Sequence, residues 1–231
     1  MLSRNSWPPD TNFLKIIQEG KKTKNDIKTL NRAFDEMRKP ALARLHGKEA
    51  EVLAGNTGID YDKNQRIFSL TSMSEKIQVH YPQYEITPEL NDWHHLLLLH
   101  YMDVADGTPL SGQLMTFGEL PGGMVRGGGF DRQSERTLSL QLGNCPPDLV
   151  RKACEALGAE IFDSNADLSG VFHLFPFYPI TLKLWFADEE LPGSGRLLLD
   201  RSAAHFLSVE DAVTAGSLVL EGLLKKYKEL C

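Results

Sequence analysis

Trp93–Phe130 reads WHHLLLLHYMDVADGTPLSGQLMTFGELPGGMVRGGGF, and its two halves set the fold. Four consecutive leucines, Leu96–Leu99, placed at 100° steps cover most of a helix circumference. A helix that is apolar nearly all round belongs in the middle of a core. Thr87-Pro88-Glu89-Leu90 reads as its start, with Thr87 as N-cap and Pro88 at the first helical position. Asp106-Gly107 ends it just past Ala105. The second half reads as a long glycine-rich loop. Gly122-Gly123 and Gly127-Gly128-Gly129 flank Met124-Val125-Arg126. So much permissive backbone in one place suits something approaching the chain closely.

Outward from this stretch, residues 57–87 read as antiparallel β-structure. Arg66–Thr71 and Glu75–Tyr81 alternate apolar and polar side chains, and Ser72–Ser74 suits a hairpin turn between them. Upstream, Ile27, Leu30, Phe34 and Met37 recur at helical spacing, with Asn25 or Asp26 as cap. Pro40 breaks or kinks that helix before a short second turn at Ala41–Leu45. Residues 1–23 form a polar lead-in with Pro8-Pro9 and a Lys cluster at 21–24. Downstream, Gln113–Phe117 suits a short strand, and Ser134–Leu142 fits helix and strand equally. Pro146-Pro147-Asp148 opens another helix that ends at Gly158. Ala159–Phe162, Val171–Phe175, Ile180–Phe186 and Arg196–Leu199 are strand candidates, and Ile180–Phe186 alternates most cleanly. Ser208-Val209-Glu210-Asp211 matches a capping-box pattern before an amphipathic C-terminal helix. Helices and strands do not alternate regularly. The expectation is therefore one α+β domain over 24–231, with a mostly antiparallel sheet, a buried central helix and a C-terminal amphipathic helix.

Hydrophobic residues make up 42% of the 231 and charged residues 24%, so a core forms without disulfide or metal staples. The net charge of −6 argues against a dedicated nucleic-acid binder. Residues 1–48 hold eleven Lys/Arg against five Asp/Glu, leaving fourteen against twenty-six for the rest. A solvated basic face on the first helix accounts for this, and contact with an acidic partner is the sharper alternative. Cys145, Cys154 and Cys231 make no CxxC, which argues against a Cys-only zinc or iron–sulfur site and suits a reducing cytoplasm. The leucine run is too short to span a bilayer and no apolar run has signal length, so a cytoplasmic chain without a membrane segment is expected.

His94, His95 and His100 share one helix, but offsets of five and six residues turn His100 roughly 140° and 240° away from the others. They are not expected to ligate one metal together. His100, beside Tyr101 near the start of the glycine segment, is the candidate axial ligand or acid/base group. Gly122, Gly123 and Gly128 are candidate cradle positions for a ligand. Arg126 would supply a fixed positive charge to an anionic group, with Glu119 as a complementary carboxylate. Neither GxGxxG nor GxxxxGK[ST] is present, so no nucleotide motif supports the cradle. Asp188-Glu189-Glu190 and Asp200 bracket a turn; clustered carboxylates can hold Mg²⁺ or Ca²⁺, though a solvated turn is the commoner outcome. No Ser-His-Asp or Cys-His arrangement assembles by motif.

Several strings of this chain resemble an uncharacterised bacterial and archaeal domain family common in anaerobes. They are Leu98-Leu99-His100-Tyr101, Ala105-Asp106-Gly107-Thr108-Pro109-Leu110, Phe117–Gly123 and Phe130, together with Leu184-Trp185, Asp188–Pro192 and Leu199–Ala204. Some relatives look fused to a cysteine-rich, ferredoxin-like segment that this chain lacks, and some accompany corrinoid-dependent metabolism. The resemblance implies a small-ligand or cofactor-binding domain, with a corrinoid or other tetrapyrrole as the first ligand to test. The residues leave two alternatives: an enzyme using His100 and Glu119 as acid/base groups, and an accessory domain acting through protein contacts. No protein partner is identified.

Overall fold

The computed structural model describes residues 24–231, with side chains from Phe34 onward. The expected lead-in at 1–23 lies outside the described residues. The architecture is α+β, with six helices and two antiparallel sheets among the described residues. Helix α1 (Lys24–Leu45) continues through Pro40, so the chain does not break there. A mid-helix proline costs about 3 kcal/mol. Ala41 and Leu45 beyond it are fully buried, and Arg44 and Lys48 clasp Asp103 of the central helix, so tertiary packing holds the last turn in place. Asn25 and Asp26 are helical and so do not cap it.

After α2 (Ala50–Thr57), strands β1 (Asp60–Asp62), β2 (Ile67–Ser72), β3 (Glu75–His80) and β4 (Glu85–Thr87) form a four-stranded antiparallel meander. The expected hairpin is there, with Ile67 opposite His80 and Ser72 opposite Glu75. Thr87 is the last residue of β4 and does not cap a helix; the Thr87–Pro88 peptide is cis. The central helix α3 (Asp92–Val104) starts at a second capping signal four residues on, where Asn91 Oδ1 accepts from His94 N at 2.9 Å. Leu96–Leu99 are all buried, as an all-round apolar helix requires.

The larger sheet has the order β5 (Leu114–Met115), β9 (Ser194–Asp200), β8 (Tyr178–Trp185), β7 (Leu168–Phe175) and β6 (Glu160–Ile161), antiparallel throughout. Helix α4 (Arg126–Leu142) packs on β9, α5 (Pro147–Ala156) precedes β6, and α6 (Val209–Leu230) crosses both α4 and α3. The Met73 amide donates to His173 O at 2.7 Å, joining the meander to the larger sheet. No described helix is long and apolar enough to cross a membrane.

The C-terminal end of the glycine segment is helix rather than loop. Gly127–Gly129 form the first turn of α4, and Phe117–Glu119 a short 3₁₀ turn packed against it. Each helical glycine costs about 1 kcal/mol relative to alanine. The close approach it permits accounts for that choice. A Cβ on Gly127 would lie 2.0 Å from Phe117 O, and one on Gly123 2.5 Å from the same oxygen. That contact sets Phe117 against Phe130 at 4.6 Å between ring centroids, and both rings fill the notch at Gly216 of α6.

Candidate functional site

The three histidines of α3 go to three different places. His94 is buried with Nε2 2.7 Å from Ser72 Oγ; desolvation and the neighbouring His95 push its pKa down to about 4. His95 accepts from Arg38 Nε at 3.3 Å and meets Phe34 edge-on. His100 reaches α6, where its Nδ1 lies 2.8 Å from Asp211 Oδ1. Asp211 Oδ2 in turn accepts from Ser208 Oγ at 2.8 Å, the N-cap residue of that helix. The carboxylate stands at the positive end of the α6 dipole, which favours its charge. An ionised carboxylate can only accept, so Nδ1–H of His100 donates to Asp211, and in the neutral tautomer this leaves the lone pair at Nε2. Both side chains are mostly enclosed, at 18% and 17% exposure, so the imidazole is held rather than free to rotate.

A second aspartate–histidine pair spans the same junction with the roles exchanged. Asp106, just past α3, meets His205, just before α6, at 2.8 Å between Oδ2 and Nδ1. The Thr108 hydroxyl lies 3.1 Å from the same nitrogen. Bonds from the Thr108 hydroxyl and from His205 hold the exposed Asp106 carboxyl at about 2. Beside it Asp200 forms a clasp. Its carboxylate accepts from the amide and hydroxyl of Ser111, the amide of Gly112, and the amide and hydroxyl of Ser202, all within 2.7–2.9 Å. Four of these bonds converge on Oδ1 and the Gly112 amide takes Oδ2, so both oxygens are engaged by the chain itself. Asp188 closes its own turn through Glu190 N and Leu191 N. No group of three or more acidic, histidine or cysteine side chains with metal-binding geometry exists among the described residues.

The remaining sequence-derived candidates divide. Tyr101 is fully buried; its hydroxyl donates to Thr57 O at 2.6 Å and accepts from Phe177 N at 3.0 Å, and burial raises its pKa. Glu119 closes a capping box with Thr116, accepting from its amide at 2.7 Å and its hydroxyl at 3.1 Å, and these bonds lower its pKa. Gly123, Gly127 and the 3₁₀ turn form one packed unit, in which Asp131 accepts from the amides of Phe117 and Gly118. Gly122 sits on an exposed turn at φ 78°, Gly128 has room for a side chain, and Arg126 is exposed. No described hydrogen bond or ion pair joins His100, Glu119 and Arg126 to one another. A groove of about 670 Å³ lies elsewhere, on the outside of the meander, where Asp60, Ser69, Gln78 and Thr87 form one cross-strand row.

Sequence reasoning missed Asp211, Asp106 and His205 as partners. Asp211 was legible only as a helix-capping residue and Asp106 only as a helix stop. Their pairing across 111 and 99 positions has no local signal. The junction does unite strings that lie far apart in the chain: 98–101, 105–110 and 199–204 all meet there. Comparison with known proteins returns no curated protein and no solved structure that matches. A family model does match, over residues 49–221, and the chain belongs to that family, the domain of unknown function DUF3786.

Proposed function

We propose that the chain binds a small ligand or cofactor at the junction of α3 and α6, with His100 Nε2 as the donor atom. The observation that carries this reading is the 2.8 Å bond from His100 Nδ1 to Asp211, itself held by Ser208. A carboxylate behind an imidazole fixes the tautomer and raises the basicity of the far nitrogen, which is how histidine ligands of metals are oriented. The donor chemistry suits a corrinoid or another metal tetrapyrrole, whose metal His100 would hold while Asp211 oriented the imidazole. When bound, such a group would supply metal-centred chemistry; the protein's own part is to present one aimed nitrogen.

The test uses native protein examined by absorbance and mass spectrometry, then titrated with hemin and with hydroxocobalamin. A spectral shift is expected with one of the two probes, lost in His100→Ala. The same shift should weaken about 10–100-fold in Asp211→Asn, the usual scale for removing an orienting partner. No shift with either probe, and no co-purified molecule, would refute the cofactor reading.

The same Asp–His geometry favours one other reading, acid/base catalysis at His100. In it Asp211 takes the part that the sequence suggested for Glu119, whose carboxylate is occupied by Thr116. An accessory domain acting through protein contacts has no comparable observation behind it.

A further inference from the structure

Tyr178 opens β8 directly opposite Phe175, so their side chains share the sheet face that the helices cover. Phe175 stacks on Tyr101, the neighbour of His100, with ring centroids 4.6 Å apart and planes at 28°. Tyr178 is 1% exposed, and its hydroxyl has no hydrogen-bond partner; no other buried side-chain N or O among the described residues lacks one. Burial raises the phenol pKa, and so does the negative charge of nearby Asp211. The hydroxyl therefore stays protonated and is a donor. A buried donor left unmade bears its full desolvation penalty, which makes a permanently empty partner position improbable in a stable fold.

We infer that Tyr178 is a hydrogen-bond donor of the His100–Asp211 site, donating to a neutral oxygen acceptor: a water, or the carbonyl or hydroxyl oxygen of a small ligand. The acceptor is neutral because an anion would face the Asp211 carboxylate in a site shielded from water, where like charges repel strongly. The inference rests on the His100–Asp211 pair being the ligand site, and it adds a recognition rule to it: an imidazole-binding group on one side and an uncharged oxygen on the other.

Tyr178→Phe removes the hydroxyl and keeps the ring. Its melting temperature is expected to fall by about 2–4 °C, the scale of one lost hydrogen bond in a chain of this size. In the unsubstituted protein the Tyr178 hydroxyl proton should be protected from exchange and show a nuclear Overhauser effect to its partner. A cross-peak at the water frequency identifies a bound water. A cross-peak to a non-protein resonance, matched by a molecule released on acid extraction, identifies a ligand. Either result supports the inference. A Tyr178→Phe protein as stable as the parent or more so overturns it, and so does a hydroxyl proton with no partner signal. Hemin and hydroxocobalamin titrations of the same variant keep the two readings apart. A retained His100-dependent shift with a failed Tyr178 result leaves the ligand site standing without this donor.

Discussion

Asp200→Asn tests whether the junction is held by charge. The carboxylate is 5% exposed and accepts five hydrogen bonds, from Ser111, Gly112 and Ser202. Burial opposes its ionisation, but the bonds from Ser202 and Ser111 outweigh burial and hold the pKa at about 2, against an ordinary 3.8. A difference of nearly two pH units corresponds to about 2–3 kcal/mol favouring the folded state at neutral pH. The folded pKa is depressed, so this stabilisation is present above pH 4 and is lost as pH falls from about 4 toward 2. The amide keeps the shape but puts an NH₂ where a carboxylate oxygen accepted, so one donor of Ser111, Gly112 or Ser202 faces another donor. Urea unfolding at pH 7 should show Asp200→Asn less stable by about 2–4 kcal/mol, the charge contribution plus one mispaired buried group. Other carboxyls with lowered pKa, among them Asp106 and Glu119, titrate in both proteins. The decisive quantity is therefore the gap between parent and variant. It should shrink by about 2 kcal/mol on acidification to pH 2.5. A gap below about 0.5 kcal/mol at pH 7, or one unchanged at low pH, would refute the clasp as an electrostatic device.

Three further outcomes follow from buried geometry. His94 is kept neutral against Ser72 with a pKa of about 4, below its unfolded 6.5; the unfolded chain then binds the extra proton, and stability should fall by about 3 kcal/mol as pH drops from 6.5 to 4. That loss should vanish in the Ser72→Ala/His94→Leu double variant, checked by denaturant midpoints across the range. Gly127→Ala should destabilise by about 3 kcal/mol or more, since its Cβ would meet Phe117 O at 2.0 Å, whereas Gly129→Ala, with nothing within 4 Å, should gain about 1 kcal/mol from helix propensity; equal melting temperatures for the two would contradict the packing account. Tyr101→Phe should lose about 2–4 kcal/mol, because Thr57 O and Phe177 N are both left unpaired in the interior, and calorimetry showing a change under 1 kcal/mol would count against it.

The elements legible in the sequence were those whose residues carry their own periodicity. Arg66–Thr71 and Ile180–Phe186 alternate because one face of each strand is buried and the other is not, and both are strands within a residue or two of expectation. Leu96–Leu99 could only be buried. Ser134–Leu142 stayed ambiguous because Leu138, Leu140 and Leu142 imitate strand alternation. In the structure Phe130, Ser134, Leu138 and Leu142 line the buried face at every fourth residue, and Leu140 is 68% exposed. One misplaced leucine was enough to hide the helical period. The helix start near Thr87 failed for a similar reason: Thr-Pro-Glu and Asn-Asp-Trp are both good capping strings four residues apart, and only β4, which consumes Thr87, decides between them.

The candidate site divides along the same line. Glycines advertise close approach, and the sequence pointed to one within Trp93–Phe130 without saying what approaches. It is the chain's own 3₁₀ turn and Phe117 carbonyl at Gly123 and Gly127, which leaves Gly122, Gly128 and Gly129 with space around them. His100 stood out in the sequence because it lies late on the apolar helix, close to the glycine segment. Its partner was hidden because Asp211 already had a sufficient local explanation as a residue of the first turn of α6. Such double duty has a physical basis. A carboxylate at a helix N-terminus is stabilised by the free amides and the dipole at no cost to the fold, so it is a ready anchor for an imidazole from a neighbouring helix. The reciprocal pair, Asp106 with His205, ties the same two chain segments from the opposite direction. With Asp200 bridging Ser111, Gly112 and Ser202 between them, the junction is cross-linked by three carboxylates, none of which carries a sequence signal for its long-range partner. A site braced at that many points can hold one imidazole in a fixed orientation, which is what either binding or acid/base work at His100 demands.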